Sequence, residues 1–95
     1  MSNSKRKTNI LIVDDHQLVI DGLKSMLASE KNYVIKGEAL NGQQALEMIT
    51  SKPEEYQLVV TDITMPLMSG IELCKIIKEQ FPHIKVLILS MHNSI

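Results

Sequence analysis

The chain has 95 residues, with 10 Lys+Arg against 11 Asp+Glu, a formal charge of −1. That length excludes two ordinary domains but allows one modest core. Hydrophobic residues at 44% and charged residues at 22% exclude a disordered or fibrous chain, and the near-neutral balance argues against a nucleic-acid binder that works by broad charge neutralisation.

The first eight residues form a polar, basic segment, Ser2-Asn3-Ser4-Lys5-Arg6-Lys7, read as a solvated and disordered tail. Behind it, Ile10-Leu11-Ile12-Val13 is a continuous apolar run. It predicts a strand covered on both faces, as in a parallel sheet. It is too short for a signal-peptide core or a membrane span, so the expected location is the cytoplasm. After Asp14-Asp15-His16, an apolar stripe through Leu18, Val19, Gly22, Leu23, Met26 and Leu27 predicts a helix. Tyr33 to Ala39 is the second predicted strand. Asn41 is a candidate N-cap for a short helix through Ile49, with Ala45, Leu46 and Ile49 inward. Leu58-Val59-Val60-Thr61 is the third strand, ending at Asp62. A loop, residues 63–70, leads to a helix from Ile71 to Gln80 that Pro82 stops. Ile84 to Leu89 is the fourth strand, ending at Ser90.

The alternation β-α-β-α-β-α-β with short connections implies parallel strands joined by right-handed crossovers. Ligands bind such sheets beyond the carboxyl ends of the strands. There this chain places Asp14 and Asp15, Asp62 and Ser90. Carboxylates gathered in one pocket repel one another and call for a cation. All-oxygen ligation points to Mg²⁺. A carboxylate beside that ion can attack phosphorus, and a hydroxyl can hold an equatorial oxygen of the transferred group.

Three segments carry a family resemblance. They are Ile10-Leu11-Ile12-Val13-Asp14-Asp15-His16, Val59-Val60-Thr61-Asp62-Ile63-Thr64-Met65-Pro66-Leu67-Met68-Ser69-Gly70, and Val86-Leu87-Ile88-Leu89-Ser90. Together they resemble the receiver domain of bacterial two-component response regulators, most closely those that precede a helix-turn-helix transcription output. The resemblance runs from residue 9 to residue 95 and implies a flavodoxin-like, doubly wound α/β fold with strand order 2-1-3-4. It implies that Asp62 accepts a phosphoryl group from a sensor histidine kinase or phosphotransfer protein. It further implies Mg²⁺ held by Asp15 directly, Asp14 through water, Asp62 and the backbone carbonyl of Thr64. Ser90 would contact the phosphoryl group, while Thr64 and His92 would adjust its lifetime. DNA would be bound only through an output domain outside this sequence.

The family normally continues through a fourth helix, a fifth strand carrying a Lys and an aromatic switch residue, and a fifth helix. Their absence from the sequence leads to the expectation of an incomplete receiver whose fourth strand, Val86-Leu87-Ile88-Leu89, is an apolar edge prone to self-association. Two other functions compete. One is a Mg²⁺-dependent phosphohydrolase with an aspartyl nucleophile, which usually carries an Asp-x-Asp pattern after strand 1, unlike Asp14-Asp15-His16. The other is a non-phosphorylated interaction module. His16 is read as a surface residue opening the first helix rather than a metal ligand. His83 is read as an exposed loop residue, Cys74 as a small core residue, and the methionines as core and loop filling.

Overall fold

The computed structural model describes residues 7–89. Seven elements follow one another: β1 (Thr8–Val13), α1 (Gln17–Leu27), β2 (Tyr33–Ala39), α2 (Gly42–Ser51), β3 (Leu58–Asp62), α3 (Gly70–Gln80) and β4 (Lys85–Leu89). The strands form one sheet, parallel as the alternation implies, in the order β2-β1-β3-β4, the flavodoxin-like order that the family resemblance implies. β1 begins two residues before its apolar run, because Thr8 pairs with Tyr33 and its amide donates to the Asn32 carbonyl at 2.7 Å.

Side-chain alternation along β1 divides the core into two layers. Leu11 and Val13 face α2 and α3, where they pack with Ala45, Ile49, Leu73 and Ile77. Ile10 and Ile12 face α1, where Ile20 is fully buried and Leu23 and Leu27 pack at the margin. The buried line of α1 therefore runs through Ile20, Leu23 and Leu27. Leu18 and Met26, placed on the inward stripe by sequence spacing, are 85% and 73% exposed. Cys74 is half-buried rather than a core residue, and His83 is exposed, its Nε2 lying 2.8 Å from the Pro53 carbonyl oxygen.

Local chemistry sets the helix starts. Asn41 caps α2 by accepting from the Gln44 amide at 2.8 Å. Ser69 and Glu72 form a capping box at α3: the Ser69 hydroxyl accepts from the Glu72 amide, and the Glu72 carboxylate accepts from the Ser69 amide. This start makes the segment between Asp62 and α3 a true loop. No helix among the described residues is long and apolar enough to cross a membrane.

Candidate phosphoacceptor and metal site

The register of the central strands brings the acidic residues together. Val13 pairs with Thr61, and one residue further along each strand stand Asp14 and Asp62. Asp14 remains part of the sheet edge, its amide donating to the Ala39 carbonyl at 3.0 Å. Both carboxylates are buried, Asp14 at 3% and Asp62 at 8% exposure. A buried carboxylate needs donors. Asp14 Oδ1 accepts from the His16 amide at 2.9 Å and Asp62 Oδ1 from the Ile63 amide at 2.8 Å.

Asp15 projects into the same space from the β1–α1 loop. One donor atom from each of Asp14, Asp15, His16 and Asp62 lies within 4.8 Å of the others. Opposite ligands of a Mg²⁺ ion at about 2.1 Å stand about 4.2 Å apart, so this donor set fits one ion after a small adjustment. Asp15 and Asp62 border an open cleft of about 480 Å³, which His16, Ile63, Thr64, Met65 and Pro66 also line. Thr64 is exposed at its rim, whereas Met65 is buried beneath it. The Thr61 hydroxyl donates to the Asp62 carbonyl at 3.0 Å and points at Met65 Sδ, 3.7 Å away, tying the strand end to the loop.

His16 is the N-cap residue of α1, exposed as expected for a residue opening that helix. Its ring nevertheless belongs to the acidic group. Nδ1 lies 3.0 Å from Asp14 Oδ1 and 3.0 Å from Asp15 Oδ1. The bond to Asp14, followed by the charge of Asp15, raises the imidazole pKa above its ordinary value. Sequence spacing did not expose this contact. The available signal was the Asp-x-His spacing of Asp14 and His16, which lets the carboxylate accept from the amide two residues on.

Ser90 and His92 lie outside the described residues. The last described residue of β4, Leu89, pairs with Asp62.

The chain matches the family described as "Response regulator receiver domain" over residues 10–95. Among curated proteins it is 34% identical over 92 residues to the transcriptional regulatory protein DegU of Brevibacillus brevis, covering 95% of this chain and 37% of that protein. Among solved structures it resembles a chain of the CheX–CheY–BeF3–Mg²⁺ complex from Borrelia burgdorferi, with a TM-score of 0.83, 29% identity, and coverage of 94% of this chain and 66% of that one. The isolated receiver domain of RcsB from Salmonella enterica serovar Typhimurium, solved with the phosphomimetic BeF3⁻, gives a TM-score of 0.80 and 30% identity, covering 94% of this chain and 65% of that one. The chain spans about two-fifths of the length of the curated relatives it matches. Strand order, the paired acids of β1 and β3 and these matches agree: the chain belongs to the response regulator receiver domains of two-component systems, whose relatives here are transcriptional regulators.

Proposed function

We propose that Asp62 is the phosphoacceptor and that its modification is the signal this receiver carries. The observation supporting this most directly is the convergence of Asp14, Asp15 and Asp62 within 4.8 Å of one another at the carboxyl edge of the sheet, where Asp15 and Asp62 line an open cleft. Asp15, Asp62 and the Thr64 carbonyl would hold Mg²⁺ directly, with Asp14 acting through water. The ion, when bound, supplies positive charge against the phosphoryl oxygens.

The chain's own residues do the rest. An Asp62 carboxylate oxygen attacks phosphorus, an O–P bond forms, and the P–N bond of a phosphorylated kinase or phosphotransfer histidine breaks. The departing imidazole nitrogen keeps the electron pair. Asp62 Oδ1 is held by the Ile63 amide, which orients the carboxylate before attack. Ser90 would donate to a phosphoryl oxygen and read the modification. Thr64 at the cleft rim and His92 would control access of hydrolytic water. In the whole cytoplasmic protein, DNA would be bound by an output domain, as the description of DegU as a transcriptional regulatory protein suggests.

A polypeptide of these residues alone would self-associate along β4. Among the described residues β4 pairs with β3, and Leu87 is 50% exposed. Light scattering should give a mass above that of one chain and rising with concentration. A monomer at high concentration removes this reading.

Incubation with Mg²⁺ and acetyl phosphate, followed by peptide mass mapping, tests the acceptor. One phosphoryl group on Asp62, lost in Asp62→Asn, is expected. Rapid multiple turnover of the donor would favour the phosphohydrolase. No adduct in the full-length protein would favour the non-phosphorylated module.

A further inference from the structure

The loop between Asp62 and α3 holds one residue that the acceptor reading does not use. The Met68 amide donates to the Pro66 carbonyl, two residues back, at 2.8 Å, and Leu67 between them has φ of 74°. A bond of that span around a positive φ belongs to the rare, strained γ-turn and not to its common inverse form. Among the described residues no other has a positive φ, and glycine or asparagine is the ordinary occupant of such a backbone. The neighbours hold the apex still. On one side Met65 is buried, with the Thr61 hydroxyl 3.7 Å from its sulfur. On the other, Met68 packs against the core, so close over the start of α2 that a Cβ on Gly42 would come within 2.9 Å of its Sδ. Met65 and Met68 thus turn inward, while Leu67 between them is 79% exposed.

An exposed leucine alone needs no explanation. Here exposure coincides with strain, so folding gains little from this side chain and a glycine would fit the turn better. Strained residues of this kind gather at ligand clamps and active sites. Leu67 follows Pro66, which lines the cleft bordered by Asp15 and Asp62. A phosphohistidine carried on a protein reaches Asp62 only by laying its own surface over the mouth of that cleft. A small donor such as acetyl phosphate enters without covering it. The leucine at the mouth is therefore placed to be buried by one class of donor and not by the other.

We propose that Leu67 is a specificity-determining contact for protein phosphodonors, held out at the cleft mouth by the strained turn so that an apolar patch beside the donor's phosphohistidine covers it. This rests on the reading of Asp62 as the phosphoacceptor. The turn sets the direction of the side chain before the donor arrives, which leaves little ordering to be done on binding. Burying most of a leucine side chain is worth about tenfold or more in affinity.

The test measures labelling of Asp62 by two donors: acetyl phosphate, and the phosphorylated cores of the histidine kinases encoded in the same genome, each screened first against the wild type. Leu67→Asn and Leu67→Gly accept the backbone of this turn but lose the apolar reach, whereas Leu67→Met keeps the reach. In the first two, kcat/KM for the protein donor relative to that for acetyl phosphate is expected to fall about tenfold, carried by KM, and Leu67→Met should restore most of it. Circular dichroism checks that each variant keeps the fold. A role in the turn alone predicts the opposite ranking, since asparagine and glycine both relieve the strain. An unchanged donor ratio in Leu67→Asn and Leu67→Gly overturns the inference, while the Asp62 adduct formed with acetyl phosphate leaves the acceptor reading standing. Labelling by acetyl phosphate without transfer from any kinase core also overturns it. No adduct from either donor overturns both.

Discussion

Gly70 lies directly against the backbone of Asp62. Its amide donates to the Ile63 carbonyl at 2.9 Å, and a Cβ built on Gly70 would overlap the Asp62 carbonyl oxygen. The first residue of α3 thus presses on the strand end that carries the acceptor, and the absence of a side chain lets the loop return that closely. Neither of the groups in the way is the flexible end of a side chain, so relief would require moving Asp62 itself. Gly70→Ala is expected to lower stability by about 1–3 kcal/mol, measured by urea unfolding. It should also slow labelling of Asp62 in the population that remains folded.

Three residues earlier, Leu67 has φ of 74°, a left-handed conformation that costs a residue with a Cβ roughly 1–2 kcal/mol. Its side chain is 79% exposed and recovers little by burial. Leu67→Gly should relieve that strain, although glycine loses more freedom on folding. The expected net effect is a gain of about 0.5–1 kcal/mol, read as an increase in the urea midpoint at constant slope. A loss of stability would mean that Leu67 contributes contacts that its exposure does not suggest.

The loop and the sheet differ in how openly they were written in the sequence. Ile10 to Val13, Tyr33 to Ala39 and Leu58 to Thr61 are strand-like runs bounded by polar breaks, and their order with the intervening helices constrained the topology. The acidic set was legible because each acid immediately follows or ends such a run. The inward face of α1 was not. Leu18, Val19, Leu23, Met26 and Leu27 offer several overlapping apolar lines, and only the tilt of the helix on the sheet selects the one through Ile20. The His16 contact was equally hidden, because it depends on the turn that Asp14 makes with the His16 amide. The capping box was present as Ser69-x-x-Glu72 and needed only to be read from the helix start.

The acids that form the site are expected to oppose folding when no cation is bound. Asp14 and Asp62 are buried, and with Asp15 they place three carboxylates within 4.8 Å. Asp62→Asn keeps an oxygen able to accept from the Ile63 amide while removing one charge. It should therefore stabilise the metal-free protein by about 0.5–1 kcal/mol. Added Mg²⁺ should raise the wild-type melting temperature progressively with concentration, as expected for an ion that binds the folded state. Asp15→Asn should largely abolish that rise. A wild-type melting temperature indifferent to Mg²⁺ across the millimolar range would contradict the assignment of these acids as a metal site.

At high pH the stability should depend on Tyr56 and Lys24. Tyr56 is 6% exposed, and its hydroxyl fills space beside Gly37, where a Cβ would come within 2.8 Å of it. Burial, assisted by the charge of Glu55, pushes the phenol above its ordinary value. The bond to Glu38, followed by the charge of Glu38, raises the Lys24 ammonium in the same direction. In both cases the folded chain holds its proton more tightly than the unfolded one. Their contribution is therefore fully present below the unfolded values near about pH 10 and is lost as pH rises towards the folded ones. Urea midpoints should stay level up to about pH 9.5 and then fall. Tyr56→Phe removes the phenol proton without emptying the core and should make that fall shallower. Lys24→Met should do so independently, because Lys24 pairs with Glu38 on the α1 side while Tyr56 packs among the α2 and α3 residues. An unaltered alkaline slope in the double variant would place the loss in other groups.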